Sequence, residues 1–245
     1  TFYYRARLHQ TGSREAEAIK DLEKSLKLNP DDQDTQLELY TLKGKQGDKS
    51  ENAQGQAKMF AQLALGEKAL KEGNLDVAMN SFLKARDLQF KDTIPLLKMA
   101  EVFVKKGDLQ SAKINLAKAI ELKPTNTDIY PKYIRILTDA YEFEEAGKAI
   151  GLFKENNPTV AVVDRLQADL FLKQDKLLEA DAYFKRALPS SDVDSSVFVN
   201  YGLLLYKAGR HRDSAFFYGL ALRFDPFNSA AIIGVGKSLA ELESA

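Results

Sequence analysis

The sequence predicts an all-α protein, a solenoid of stacked helix pairs, and three observations predict it. Apolar and small residues recur every 34 positions. Within each period they stand three and four residues apart, which is the spacing of one helix face. Glycine-containing turns then divide the period into two halves.

The first observation rests on columns. Ala78, Ala112, Ala146, Ala180 and Ser214 each stand 34 positions from the next. Phe82, Leu116, Ile150, Phe184 and Tyr218 follow four residues later, and Ala85, Ala119, Phe153, Ala187 and Ala221 three after that. Upstream, Gly66, Ala100, Ile134, Ala168, Gly202 and Gly236 form a mostly small column, with Ala69, Phe103, Leu137, Phe171, Leu205 and Leu239 three residues beyond it. Small columns let paired helices approach, and large columns fill the space between pairs. One pair cannot bury its apolar face alone, so the units must stack. The turns carry Gly73-Asn74, Gly107-Asp108 and Gly209-Arg210, and Pro124, Pro158 and Pro226 end three of the units.

These residues resemble the tetratricopeptide-repeat (TPR) family. The segments "YGLLLYKAGRHRDSAFFYGLALRFDPFN" (201–228) and "MAEVFVKKGDLQSAKINLAKAIELKPTN" (99–126) follow its pattern almost column by column. The resemblance implies a right-handed superhelical α-solenoid. Five units are placed at 59–92, 93–126, 127–160, 161–194 and 195–228, within a segment spanning 56–228. Residues 229–245 repeat only a first helix and are expected to form a C-terminal capping helix. In unit 127–160, bulky Ile134 and Phe153 occupy small columns and are expected to alter the geometry of that pair.

The N-terminal segment is out of phase. Ala18, Leu22, Ser25 and Pro30 repeat the second-helix columns, yet Ala18 precedes Ala78 by 60 residues. Residues 1–43 therefore read as a TPR-like helix pair plus one extra helix at about 33–42. Residues 44–55, rich in Gly, Ser, Asn and Gln, read as a linker or degenerate turn that trypsin should cut first, at Lys45 or Lys49. The next helix is expected from near Ala53 to Glu72.

Composition removes several functions. The 245 residues carry 35 Lys+Arg and 35 Asp+Glu, a net charge of zero. Nucleic acid is not expected as a partner, because neutralising phosphates demands a basic excess. No apolar run reaches the roughly 20 residues that span a bilayer, so no direct membrane insertion is expected within this segment. Without cysteine there is no disulfide framework or thiolate metal site. The chain opens on Thr1 rather than Met and reads as a processed or excised segment, so the compartment is expected to be cytoplasmic, or periplasmic or envelope-attached if an upstream signal was removed.

No motif carries chemistry. Gly234-Val235-Gly236-Lys237-Ser238 resembles the end of a phosphate-binding loop, but that motif needs glycine where Ala231 stands, and the run lies in the columns of a helix. His9 and His211 have no partner at metal-ligand spacing, and His211 reads as a packed turn residue. Glu144-Glu145 suits the start of a helix. Most aromatic residues fall in repeat columns and read as core rather than a base-stacking platform. Neither enzymatic activity, nor a cofactor, nor a metal is expected.

What remains is a surface for protein. The resemblance implies that the first helix of each pair lines a concave groove, with positions 2, 5, 6, 9, 12 and 13 of each unit pointing into it. The preferred contact surface lies in units 161–194 and 195–228: Arg165, Leu166, Asp169, Leu172, Lys173, Val199, Asn200, Leu203, Tyr206 and Lys207. A peptide or helix with apolar anchors and flanking charge would suit it. The basic and asparagine clamp with which TPR co-chaperones hold a terminal carboxylate is not reproduced. Where Asn200 fits, the preceding unit offers Arg165 and Asp169 and the following one Ala230 and Gly234. The expected function is thus a non-enzymatic protein-interaction scaffold or adaptor. An envelope assembly factor of the pilotin type, a regulatory segment of a larger enzyme, and self-association stay open.

Overall fold

The computed structural model describes residues 14–28, 35, 38–39, 41–43, 51–89, 91–126, 128–156, 161–189 and 195–244. No strand occurs among them, and the protein is an all-α stack of helix pairs. The chain divides into two compact units, Thr1–Ile129 and Tyr130–Ala245.

The first unit holds α1 (Glu15–Leu28), α2 (Glu51–Lys71), α3 (Leu75–Leu88), α4 (Ile94–Lys106) and α5 (Leu109–Leu122). In α1, Glu15 and Glu17 sit in the first turn and Lys27 in the last, the charge order that the helix dipole favours. Its buried Ala18, Ile19 and Leu22 pack with Leu39 and Leu42. Helix α2 starts at Glu51, so residues 51–55 of the expected linker are helical. Ala53, Gln54, Gln56 and Ala57 are good helix formers and absorb the cost of Gly55, about 1 kcal/mol. Lys45 and Lys49 lie outside the described residues, as does His9. Helices α2, α3 and α4 share one core around Phe60, Phe82, Met99 and Val102, and α5 pairs with α4. The small column works as contact space here: a Cβ on Gly66 would lie 2.3 Å from the Phe82 ring.

The second unit holds α6 (Ile129–Asp139), α7 (Phe143–Asn156), α8 (Ala161–Lys173), α9 (Leu177–Ala187), α10 (Ser195–Lys207), α11 (His211–Phe224) and α12 (Ser229–Glu243). The bulk of Phe153 is buried and stacks on Tyr130 at 5.2 Å between ring centroids, and Ile134 is buried as well. The rings of Phe184 and Tyr201 meet at 5.5 Å in the core shared by α8, α9 and α10. Gly202 lies beneath Tyr218, 3.1 Å from where its Cβ would be.

Among the described residues, five turns between the helices of a pair are closed alike. The amide just before the second helix donates back to the carbonyl five residues earlier, inside the first: Asn74 to Ala69 (2.8 Å), Asp108 to Phe103 (2.9 Å), Glu142 to Leu137 (2.9 Å), Lys176 to Phe171 (2.9 Å) and Arg210 to Leu205 (2.8 Å). This geometry puts the preceding residue in the left-handed region. That residue is glycine at Gly73, Gly107 and Gly209, with φ of 79°, 77° and 72°. In the two turns between them it is Tyr141 (φ 61°) and Asp175 (φ 60°), in the same 34-residue register.

The expected cap at 229–245 differs from a cap in one respect. A terminal repeat keeps solenoids soluble by presenting a polar outer face. Helix α12 instead leaves Ile232, Ile233, Leu239 and Leu242 exposed. Its buried face is Ala231, Gly234 and Ser238, against α11. Gly236, from the small column, meets nothing within 4 Å.

Candidate functional site

Within Tyr130–Ala245 the first helices α6, α8 and α10 line a cavity of about 550 Å³. Helix α8 supplies Leu166, Asp169, Leu172 and Lys173, and α10 supplies Ser196, Asn200, Leu203 and Lys207. The α10 residues step by four, three and four, one continuous helix stripe. Helix α6 and its turn add Ile134, Arg135, Thr138, Asp139 and Tyr141.

Seven of the ten residues expected at the contact surface line this cavity: Leu166, Asp169, Leu172, Lys173, Asn200, Leu203 and Lys207. Arg165 does not, and neither do Val199 and Tyr206. Val199 packs on the small core of Tyr218, Ala221 and Ala231. The Tyr206 hydroxyl donates to Glu241 on α12 (3.2 Å), and its ring meets His211 at 5.2 Å. The reason is angular. Successive residues turn about 100° round a helix, so Val199 and Tyr206 lie well round from the centre of the 196–200–203–207 stripe and face α12 instead. Thr138, Asp139, Tyr141 and Ser196 were missed. Asp139 had a signal, since it stands one period before Lys173.

The floor is aliphatic. Leu166 and Leu172 are buried, whereas Leu203 is 38% exposed and is the apolar side chain that α10 offers to the cavity. The walls are polar and mostly satisfied from within. The Asn200 amide donates to Asp169 at 2.8 Å. Lys173 pairs with Asp139 at 3.0 Å, its ammonium 5.9 Å from the centroid of the Tyr141 ring. Lys207 pairs with Asp175 at 2.6 Å. Arg135 is exposed and has no carboxylate partner among the described residues. The two left-handed, non-glycine turn residues both serve this rim, Tyr141 as a lining residue and Asp175 as the anchor of Lys207. For a tyrosine that conformation is strained, and strain of this kind is found at working sites.

Behind the cavity the Tyr201 hydroxyl donates to Asp181 at 2.8 Å. Burial, together with that carboxylate, pushes the phenol up to about 12. Loss of solvent and the Glu241 contact also raise Tyr206. Gly234 to Ser238 are helical, and the Ser238 hydroxyl is spent on the Gly234 carbonyl at 2.8 Å rather than presented to a phosphate. No group of three or more His, Asp and Glu forms a metal cage among the described residues, and no helix there is long and apolar enough to cross a membrane.

Comparison with known proteins agrees with this architecture. The family model for the tetratricopeptide repeat matches residues 2–32 and 96–126. A tetratricopeptide-repeat protein of Parabacteroides merdae superposes with a TM-score of 0.66 at 11% identity, covering 97% of each chain. A thermophilic TPR protein of Thermus thermophilus does so at 0.64 and 19% identity, over 74% of this chain and 99% of its own. Pseudomonas aeruginosa pilF gives 0.61 and 20%, over 78% of this chain and 88% of its own. At these identities the likeness is one of fold. No curated protein sequence matches the chain.

Proposed function

Because the chain is a protein of the tetratricopeptide-repeat superfamily, a fold that serves as scaffolding between proteins, we propose that it holds one partner peptide or helix in the cavity between α6, α8 and α10. The observation that carries this is Leu203, an exposed leucine inside a concave, polar-walled space. A partner places an aliphatic or aromatic anchor against Leu203 and a carboxylate on Arg135, which has no carboxylate partner to break among the described residues. Burying one such anchor contributes roughly 1.5–3 kcal/mol. That corresponds to a tenfold or larger change in affinity. No covalent step is needed, and we place the protein among non-enzymatic scaffolds. We assign it to the cytoplasm unless an upstream signal directs it to the envelope, which cell fractionation of the full-length product would decide.

The test begins with affinity capture and mass spectrometry to identify the partner. Leu203→Ser and Arg135→Glu are then measured against that purified partner by calorimetry, with a thermal melt of each variant. At least tenfold weaker binding with an unchanged melt is expected. Unaltered affinity for both variants overturns the reading.

A further inference from the structure

The cavity is lined by first helices. The second helices carry outward faces of their own, and two of these faces complement each other. In α11, Ser214, Tyr218 and Ala221 form the buried face, which packs on α10 and α12. Successive residues turn about 100° round a helix, so Arg212, Phe216, Gly219 and Arg223 form the stripe directly opposite. Phe216 is 62% exposed. Arg212 and Arg223 are exposed and have no carboxylate partner among the described residues. A Cβ on Gly219 would meet nothing within 4 Å, which leaves a hollow beside the ring. The register itself keeps this stripe bare. Asp76, Asn80 and Asp87 of α3, and Leu178 and Ala182 of α9, stand in the same registers and are exposed, although α4 and α10 follow those helices and pack on them.

Helix α7 carries the counterpart. Its outward stripe is Glu144, Lys148, Gly151 and Glu155. Glu144 and Glu155 stand in the registers of Arg212 and Arg223, so the charge is inverted, and each pair is 11 residues apart. Glu155 is exposed and has no cationic partner among the described residues. Glu144 holds Lys148 at 2.6 Å, an exposed pair of the kind that contributes little and is readily exchanged. A Cβ on Gly151 would also meet nothing within 4 Å, and Leu152 beside it is 50% exposed. The other second helices lack this set. In α3, Asp76 is held by Lys106 and Asp87 by Arg86, and Leu83 stands in place of the glycine. Helix α5 has Gln110 at one end of the stripe, and α9 has Leu178 and Pro189 in the acidic registers.

We propose that the outward face of α11 docks on the outward face of α7 in a second copy of this chain. With the two helices antiparallel, Arg212 meets Glu155 and Arg223 meets Glu144. The same register sets Phe216 on Gly151, beside Leu152, and Lys148 in the hollow at Gly219. Each bulky side chain of the stripe then faces a glycine, and each terminal charge faces its opposite. A parallel arrangement would pair the charges as well, but it sets Phe216 on Lys148 and glycine on glycine, so the hollows stay empty. Burial of the Phe216 ring supplies the attraction, and the charges fix register and choice of partner. The two faces are different surfaces of one molecule. A copy that uses one keeps the other free, so copies add head to tail.

Sedimentation velocity of the full chain over a concentration series reads the contact. Association that grows with concentration and weakens with added salt is expected. The double variant Arg212→Glu with Arg223→Glu, and separately Glu144→Arg with Glu155→Arg, should each weaken it at least tenfold. An equimolar mixture of the two double variants should associate again, because each then meets a face of opposite charge. Phe216→Ser and Gly151→Leu, both at exposed positions, should each weaken association at least fivefold with no loss of melting temperature. A chain that stays monomeric at millimolar concentration overturns the proposal. So does association that survives either charge reversal, or a mixture of the folded double variants that stays dissociated. Should a double variant fail to fold, Phe216→Ser and Gly151→Leu decide, and association indifferent to both overturns the proposal.

Discussion

In Thr1–Ile129 the turns between paired helices are made by Gly73 and Gly107, while in Tyr130–Ala245 the same register holds Tyr141, Asp175 and Gly209. The first-helix faces differ in parallel. In the first unit Leu63 and Leu97 are buried, and Lys98 is held by Glu67 at 2.8 Å. In the second, Asp169 and Asn200 occupy the registers of Glu67 and Lys98, and the neighbouring Leu203 is left open to a cavity. One fold rule thus runs through both units, and the departures from it gather where the cavity opens. Tyr141 and Asp175 accept a conformation that disfavours side chains and use those side chains at the rim.

The largest effects test the shared rule. Phe82→Ala and Tyr218→Ala each remove a ring from beneath which a glycine has no side chain to expand, so each is expected to cost about 3–5 kcal/mol in urea unfolding. A loss below about 1 kcal/mol in either would show that the glycine contact is not structural. The next pair tests the difference between the faces. Leu97→Ser should lower stability by about 2–5 kcal/mol, because it empties a buried site and adds a hydroxyl. Leu203→Ser, at a 38% exposed site, should move it by no more than about 0.5 kcal/mol. Equal effects would erase the distinction.

Smaller changes probe the turns. Tyr141→Gly and Asp175→Gly should each raise stability by about 0.5–1 kcal/mol by relieving left-handed backbone, with Asp175→Gly also releasing Lys207. Gly107→Ala should lower it by about 1 kcal/mol for the converse reason. Denaturant melts of the three variants decide the sign. The smallest effect is one of pH. The folded state holds the Tyr201 proton more tightly than an unfolded chain does, with its phenol raised to about 12. The associated stability is complete below the unfolded value of about 10 and is lost as pH rises through 12. The stability difference between wild type and Tyr201→Phe should therefore shrink between pH 9 and pH 11, and a difference that grows would contradict the assignment.

The repeat was legible because its physics is local. Gly66 with Phe82, and Gly202 with Tyr218, are each separated by 16 residues, and a fixed period exposes such pairs without knowledge of the fold. The groove was only partly legible. Spacings of four and three made Val199, Leu203 and Tyr206 look like one face, yet α10 has neighbours on two sides. The chain alone does not say which flank of a stripe turns to α8 and which to α12. The turn residues Tyr141 and Asp175 were hidden because glycine is the sequence signal of a left-handed turn, and the register that marks them carries no glycine there. The nature of the last helix was hidden too. Its columns match a covered helix, and periodicity is blind to whether a cover is present.

Ser214 and Ser238 bear on how α12 is held to α11. Ser214 is the one member of its column that is not alanine, and its hydroxyl lies 2.8 Å from the Gly202 carbonyl and 2.9 Å from Ser238, which in turn reaches the Gly234 carbonyl. Both side chains are fully buried. Separating α12 from α11 would break only the Ser214–Ser238 contact, since each hydroxyl keeps a carbonyl within reach, Gly202 for Ser214 and Gly234 for Ser238, a net cost of about 0.5–1.5 kcal/mol. Helices with few buried apolar contacts ordinarily open on their own, and their amides exchange with solvent at little free-energy cost. Here the amides of α12 should exchange together with those of α11 as one cooperative block.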